Sequence, residues 1–188
     1  MRRYLYIILL SALCAVACNR GGDDGGEGDN YDGYANICEN IAGGDYENCG
    51  DFYKTNATNW LLELHTADFS EIVRLELQTD TSAATFEGDF QIDNSRQAGS
   101  AVAGFVNAGV PCGCCWVRYD DSYKLAEYKL FVSGDISINR SGEGYHISLK
   151  AKTADGKRVS VEYDGALSSW ATLKSAPAER LRIRLLRR

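Results

Sequence analysis

An all-β fold is predicted for this chain from three observations. Several segments alternate strictly between apolar and polar residues, which is typical of antiparallel strands with one solvated face. The 188 residues include 11 tyrosines and only two prolines, a composition that favours β structure. Short strands separated by turn residues, without a convincing amphipathic helix before Pro177, indicate a single antiparallel β-sandwich or a barrel.

The alternation predicts seven strands in the body of the chain. In the first of them Trp60, Leu62 and Leu64 share one face, and the others repeat this pattern with their own apolar residues. An eighth, closing strand with a basic end is predicted at Ala178–Arg188, where a short amphipathic helix fits almost as well. About eight strands suit a lipocalin-like barrel as well as a sandwich. The seven strands are Asn59–His65, Glu71–Thr79, Phe86–Ile92, Trp116–Tyr119, Tyr128–Asn139, Tyr145–Lys152 and Arg158–Leu167.

Turn residues and one loop connect these strands. Asp155-Gly156 lies between the last two and predicts a hairpin closed by a type I′ turn, in which both central residues need positive φ. Gly134 is expected to mark a bulge in its strand. The small residues from Asn94 to Pro111 predict a long loop that crosses a barrel mouth or a sheet edge.

The first eighteen residues have the three parts of an export signal. Arg2 and Arg3 precede an apolar run, and Ala15-Val16-Ala17 stands just before Cys18. The run is too short to cross a bilayer, which needs about 20 apolar residues. Small residues followed by cysteine resemble the lipobox of bacterial lipoproteins, so we expect Cys18 to carry an acyl anchor such as palmitate. Ala15 also suits ordinary secretion without a lipid.

Three segments follow from this interpretation. Residues 1–17 are a lipoprotein-type signal peptide, residues 18–36 an acidic, glycine-rich tether, and residues 37–188 an all-β domain with a basic C-terminal end. Asp23-Asp24 resembles the acidic signal that directs lipoproteins to the outer face of the cell, and a solvated spacer explains it equally well. The predicted location is the outer membrane, on its periplasmic or surface side, with the lipid bilayer as a partner.

The charge of the chain argues against nucleic acid as a partner. The formal net charge is −6, and it falls to about −8 without Arg2 and Arg3. An acidic protein has no electrostatic attraction to phosphate backbones.

Five cysteines remain in the predicted domain, and three of them lie within four residues. Export permits disulfides, so these cysteines are disulfide candidates, with Cys38 or Cys49 closing onto the cluster or pairing with each other. A soft metal and redox-active thiols are weaker alternatives, and we predict no metal site and no cofactor. Lipidation of Cys18 would leave an odd number of thiols. The five candidates are Cys38, Cys49, Cys112, Cys114 and Cys115.

Aromatic residues suggest binding rather than catalysis. Trp116, Tyr119 and Tyr123 are candidates for contacting a ligand, because exposed rings stack on sugars and are enriched at interfaces. No catalytic residue is predicted, since the chain lacks nucleophile-elbow, zinc-protease and phosphate-loop motifs. His65 and His146 both fall on polar strand faces by alternation.

The turns and core positions resemble those of small all-β lipoproteins of the Bacteroidota over Cys49–Leu167. The resemblance implies an all-β lipoprotein and carries no activity or catalytic residue with it. Its motifs are Gly50, Tyr53, Asn59-Trp60-x-Leu62-x-Leu64, Gly88-x-Phe90, Gly134-x-Ile136-x-Ile138, Tyr145-x-Ile147, Asp155-Gly156-Lys157 and Tyr163-x-Gly165-x-Leu167.

The sequence therefore predicts an exported, membrane-anchored binding module. Its ligand is a glycan, a peptide, a small apolar molecule or a partner protein. The alternatives are a structural component of a surface assembly and a thiol-redox or hydrolytic enzyme.

Replacing Cys18 by alanine tests the anchor. The variant should move from the membrane fraction to the soluble fraction, because no thiol remains to accept the lipid, while the β domain keeps its circular dichroism spectrum. A Cys18→Ala protein that stays with the membranes would refute the lipid anchor and direct attention to the basic residues 182–188.

Overall fold

The computed structural model describes residues 33–173 of the chain. This part is almost entirely strand, with one four-residue helical turn, α1 (Trp170–Leu173), which confirms the all-β prediction. Eight of its thirteen strands have five or more residues. The strands are β1 (Ala35–Asn36), β2 (Ile41–Gly50), β3 (Ala57–Thr66), β4 (Glu71–Asp80), β5 (Gly88–Asp93), β6 (Ser100–Val102), β7 (Phe105–Asn107), β8 (Val110–Cys112), β9 (Cys115–Tyr119), β10 (Leu125–Ser141), β11 (Gly144–Thr153), β12 (Arg158–Gly165) and β13 (Leu167–Ser169).

Eleven strands form one sheet that closes into a barrel. The order is β1-β12-β11-β10-β5-β6-β4-β3-β2-β13, with β9 between β10 and β4, while β7 and β8 form a separate hairpin. The first and last strands bring the two sides of the sheet together. β12 pairs with β11 and runs through Ala166 into β13, which pairs in parallel with β2, and β1 pairs in parallel with β12.

The corner at Ala166 is built by close contacts. Tyr163 donates its hydroxyl to the carbonyl oxygen of Ala166 at 2.7 Å. Leu167 packs so tightly on Gly44 that a Cβ there would lie 2.6 Å from the Leu167 side chain. The missing side chain of Gly44 therefore lets β13 approach β2 and complete the barrel.

The sheet forks between β4 and β10. The first half of β4, Glu71–Arg74, pairs with β9, whereas Leu77 pairs with β6. On the other side, Leu125–Leu130 of β10 pairs with β9 and Gly134–Ile138 pairs with β5. In one half of the barrel, β9 alone therefore connects β4 to β10. In the other half, β5 and β6 together connect them.

Apolar side chains fill the barrel interior. The inward residues predicted from alternation in β3, β4, β11 and β12 are all buried, which confirms those strands. Phe86 contacts the rings of Tyr46, Trp60 and Tyr145 at centroid distances of 5.0, 5.4 and 5.1 Å, and so joins strands on opposite sides of the interior. An eight-stranded barrel is just wide enough for side chains to fill in this way.

Two predicted connections differ from the structure. The hairpin at Asp155-Gly156 is present, but the predicted type I′ turn is wrong: Gly156 has a φ of 86°, and Asp155 is not among the residues with positive φ. Gly156 donates its amide to Thr153 O at 2.9 Å, and Thr153 donates to Lys157 O, so the loop has three residues. The predicted loop from Asn94 to Pro111 is also wrong, because it contains β6, β7 and part of β8.

The bulge in β10 lies just before Gly134. The register with β11 shifts between Phe131 and Ser133. Gly134 itself has a φ of 143°, and a Cβ there would overlap the carbonyl oxygen of Lys150 and lie 2.6 Å from the Cα of Ala151. Glycine is needed at this position for close strand approach.

Several predicted features lie outside the described residues. They are the signal peptide, Cys18, the tether up to residue 32 and the C-terminal end at 178–188. β1 falls within residues 18–36, so the last part of the predicted tether belongs to the barrel. No helix in residues 33–173 is long and apolar enough to span a membrane.

Gly134→Ala should destabilise the barrel by more than about 3 kcal/mol, because it combines an unfavourable φ with overpacking. Gly142→Ala is the control: Gly142 also has positive φ (57°) but lies in open space, and we expect a cost of about 1 kcal/mol there. Urea unfolding measures both. Equal costs for the two variants would show that the contact with β11 is not the constraint.

Candidate functional site

The three rings predicted to contact a ligand do not form one surface. Trp116 is only 6% exposed and belongs to the barrel core, where its Nε1 donates to Glu71 Oε2 at 3.0 Å. Tyr119 is half-buried against a small cluster outside the core. Tyr123 is exposed at a turn with a φ of 57°. Trp116 therefore presents no stacking face to solvent.

The five candidate cysteines occupy separate environments, and no disulfide joins cysteines within residues 33–173. Cys38 and Cys114 are buried in the core, Cys115 is buried in the outer cluster, Cys112 is partly exposed and Cys49 is exposed. Cys114 and Cys115 thus point to opposite faces, as alternation predicts. Burial, followed by the nearby Glu71 carboxylate, raises the pKa of Cys38 to about 12.

Cys38 and Cys49 are too far apart to pair with each other. Most of β2 separates them, and the eight residue steps from Ile41 to Cys49 span about 26 Å in a strand. A disulfide needs Cα atoms within about 7 Å. A disulfide from Cys38 or Cys49 to the cluster of Cys112, Cys114 and Cys115 stays a prediction.

A row of polar residues crosses the outer wall of the barrel, and we call it the polar belt. Its members lie opposite one another on successive strands, so their side chains share the outer face. Gln91 pairs with both Asp135 and Ser100, and the Gly99 amide continues the row by donating to Gln78 O at 2.8 Å. In order, the belt consists of Asn36, Ser160, Lys150, Asp135, Gln91, Ser100, Gln78 and Asn59.

A groove of about 500 Å³ lies along one part of the polar belt. One wall is the half-buried ring of Tyr34, just before β1. The other walls are polar side chains of β5, β10 and β11, namely Asp89, Gln91, Asp135, Ser137, Ser148 and Lys150.

The contacts inside the groove hold its walls in place. Gln91 Nε2 donates to Asp135 Oδ1 at 3.0 Å. Lys150 Nζ and the Arg158 guanidinium lie 5.7 and 5.8 Å from the centroid of the Tyr34 ring, within the range of cation–π attraction. Two carboxylates and one ammonium line the groove, and the Arg158 guanidinium lies beside its Tyr34 wall, so the charges around the groove nearly balance. This composition suits an uncharged ligand with many hydroxyl groups better than an anion.

The other part of the polar belt is covered by two loops. The Tyr53 hydroxyl and Asn59 Nδ2 both donate to Glu76 Oε1, at 2.6 and 3.0 Å. Arg96 lies 4.3 Å above the Tyr53 ring, and Thr55 donates to the Arg96 carbonyl at 2.8 Å. Burial and the bond to Glu76 raise the pKa of Tyr53 well above its usual value, so the phenol stays protonated as a donor.

Gln78 is fully buried beneath this cover, and neither its Oε1 nor its Nε2 has a hydrogen-bond partner within residues 33–173. An unpaired buried amide costs about 1–3 kcal/mol. The hydrogen bonds of Tyr53, Thr55 and Asn59 therefore hold the covered part of the polar belt in place, and the Gln78 side chain adds none.

Arg74 anchors the adjacent β8 segment to the barrel wall. Its guanidinium donates twice to Glu63 Oε1, at 3.0 and 2.7 Å, and once to Pro111 O at 3.1 Å. Glu63 is buried, so this ion pair lies largely out of water. The same pair brings the Pro111–Cys112 segment against β4.

A second cavity, of about 710 Å³, lies between the segment before β2 and the β3–β4 turn. Two of its three carboxylates, Asp68 and Glu71, already accept hydrogen bonds. Asp68 accepts bonds from the amide and hydroxyl of Ser70 and from Thr66, which lower its pKa to about 2. Glu71 accepts the Trp116 indole and the Cys38 thiol. The described lining contains no aromatic ring, so we favour the groove at Tyr34.

The two histidines bind carboxylates on the outer wall. His65 stacks on Phe69 at 4.0 Å and lies 3.7 Å from Asp45. His146 lies 2.9 Å from Asp164 and 3.7 Å from Glu162. Among residues 33–173, no group of three His, Cys, Asp or Glu side chains is placed to hold a metal ion.

Comparison with known proteins gives no match: no family model matches the chain, and no curated protein or solved structure is significantly similar to it.

The groove could not be predicted from the sequence because its residues are far apart in the chain. Gln91, Asp135 and Lys150 each stand on the polar face of a predicted strand, where they are indistinguishable from ordinary solvated residues. Only the strand register places them side by side. Tyr34 gives no periodic signal, since it precedes a strand of only two residues.

Arg74→Met should cost about 3–5 kcal/mol of unfolding free energy, because it leaves the Glu63 carboxylate buried without its cation. The double variant with Glu63→Leu should recover most of that loss. The control is Arg118→Met, which breaks an exposed pair with Glu127 of equal length, 2.7 Å, and should cost less than about 1 kcal/mol. Urea unfolding measures all three, and an Arg74→Met cost no greater than that of the control would contradict the assignment.

Proposed function

We propose that this protein is a non-catalytic binding module that binds an uncharged glycan in the groove at Tyr34 and is held at the outer membrane by an acyl anchor on Cys18. The observation that carries the proposal is one aromatic ring facing a wall of amide, hydroxyl, carboxylate and ammonium groups. Sugars present both an apolar ring face and many hydroxyl groups, so they use both kinds of wall.

The interior of the barrel argues against a small apolar ligand. Side chains from opposite strands meet there, as the contacts of Phe86 with Tyr46 and Tyr145 show. A lipocalin-type ligand would have to displace these rings from a close-packed core. Binding on the outer wall requires no such rearrangement.

The groove suits binding better than hydrolysis. Asp89 and Asp135 are both exposed on the outer face of the sheet. A glycosidase-type general acid works from an apolar pocket that keeps its proton on the carboxyl group. Asp135 is also tied to Gln91, which fixes it as an acceptor for a ligand hydroxyl.

The signal and tether support an exported binding role. The cysteine after Ala15-Val16-Ala17 and the acidic residues behind it are the features of a lipid-anchored protein. An anchored module of this kind would hold its ligand at the periplasmic or the surface face of the outer membrane. A peptide or protein partner and a structural role in a surface assembly are the competing outcomes of the binding test.

Tyr34→Ala should weaken glycan binding by about tenfold, or about 1.4 kcal/mol, because the stacking face is lost. The probe is a panel of soluble neutral oligosaccharides of hexoses and N-acetylhexosamines, measured by isothermal titration calorimetry with the full mature protein. Gln91→Ala should weaken the same binding, since it removes an amide and releases Asp135.

Tyr123→Ala is the matched control, because it removes an exposed tyrosine that is not part of the groove. It should bind like the wild type. A loss of binding in Tyr123→Ala with none in Tyr34→Ala would place the ligand elsewhere, and no binding of any oligosaccharide by the wild type would refute the glycan proposal.

A further inference from the structure

Cys112 and Cys115 are separated by two residues at a tight bend between β8 and β9. Gly113 occupies this bend with a φ of 69°, and a Cβ there would lie 2.6 Å from the carbonyl oxygen of Ala103. The amide of Cys114 donates to Val102 O at 2.8 Å. Contacts with Val102 and Ala103 therefore fix the bend, and Cys112 and Cys115 flank a rigid turn.

The cysteine between them faces away. Cys114 is fully buried in the barrel core, whereas Cys115 packs outside that core with Ile72 and Val117. Cys115 lies directly opposite Arg74 in the β4–β9 register, on the outer face. The side chains of Cys114 and Cys115 thus lie on opposite faces of the sheet. Cys114 therefore does not compete with Cys112 for a disulfide with Cys115.

The two outer thiols differ in access. Cys112 is partly exposed, with its Sγ 3.5 Å from Val110 O, and Cys115 is completely buried. This difference suits thiol–disulfide exchange, because an external disulfide can reach Cys112 but not the buried Cys115.

Arg74 connects the two thiols. It donates to the carbonyl oxygen of Pro111, the residue before Cys112, and it stands opposite Cys115. Burial raises the pKa of Cys115 to about 12. The Arg74 cation acts against that rise, and the Glu63 carboxylate, followed by Cys112, adds to it.

We propose that Cys112 and Cys115 form a thiol–disulfide exchange site, with Cys112 as the attacking thiol and Cys115 as the resolving thiol. Its substrate class is a small or extended disulfide able to reach the partly exposed thiol of Cys112. This site is separate from the groove at Tyr34 and does not depend on glycan binding.

The exchange balances in two steps. Cys112 loses its proton to solvent and its thiolate attacks one sulfur of the external disulfide, which forms a mixed disulfide and releases one external thiolate. Cys115 then loses its proton and attacks Cys112 Sγ, which closes the Cys112–Cys115 disulfide and releases the second external thiolate. The two protons pass to the released thiolates, so the external disulfide is reduced by two electrons to two thiols.

The test uses the full mature protein equilibrated with mixtures of oxidised and reduced glutathione. Thiols are then trapped with iodoacetamide and mapped by fragment mass spectra. In the wild type, oxidising mixtures should close a Cys112–Cys115 disulfide and leave Cys114 reduced. This map requires no variant to fold.

Three variants assign the roles. Cys115→Ser should retain one glutathione on Cys112, because the resolving thiol is absent. Cys112→Ser should lose both the adduct and the disulfide, since Cys115 is buried. Cys49→Ser, which removes an exposed cysteine elsewhere, should behave as the wild type. A disulfide between Cys112 and Cys49, a Cys112 that stays reduced in the most oxidising mixture, or a Cys115→Ser protein that releases its glutathione as the wild type does would overturn the proposal.

Discussion

Closure at Ala166 is the constraint on which the rest of the barrel depends. The sheet would have two open edges if β12 ended without turning into β13, and unpaired edges invite pairing with other chains. The Tyr163 hydroxyl holds the Ala166 carbonyl, and Gly44 gives Leu167 the room to reach β2. One hydrogen bond and one missing side chain thus allow β13 to pair in parallel with β2 and close the barrel.

Most of the long strands could be predicted from the sequence because their two faces differ in chemistry. The ten-residue strand β2 was not predicted, because Gly43-Gly44 interrupts its alternation. Alternation identified β3, β4, β11 and β12 together with their inward residues. It could not identify β6, β7 and β8, which have three residues each, too few to show a period. Ser100-Ala101-Val102 is also buried on both faces, so its polarity does not alternate with its environment.

The candidate sites could be predicted only in part. Alternation predicts that Cys114 and Cys115 point to opposite faces, and the structure shows this. It does not predict which of the two faces the core. Trp116 was a ligand candidate because of its large ring. The ring is buried because a large apolar surface stabilises the interior when it is removed from water. The polar belt depends on strand register, and register is a property of pairs of strands that no single segment reveals.

The fork between β4 and β10 gives the barrel a conical shape. With β9 alone in the gap, the wall is one strand narrower than where β5 and β6 fill it, a difference of about 4.8 Å in circumference. The rings of Phe86, Trp60 and Tyr145 occupy the broad end, where more volume must be filled. A wider ring of strands curves less, so the outer wall that carries Gln91 and Asp135 bends more gently than the wall formed by β9.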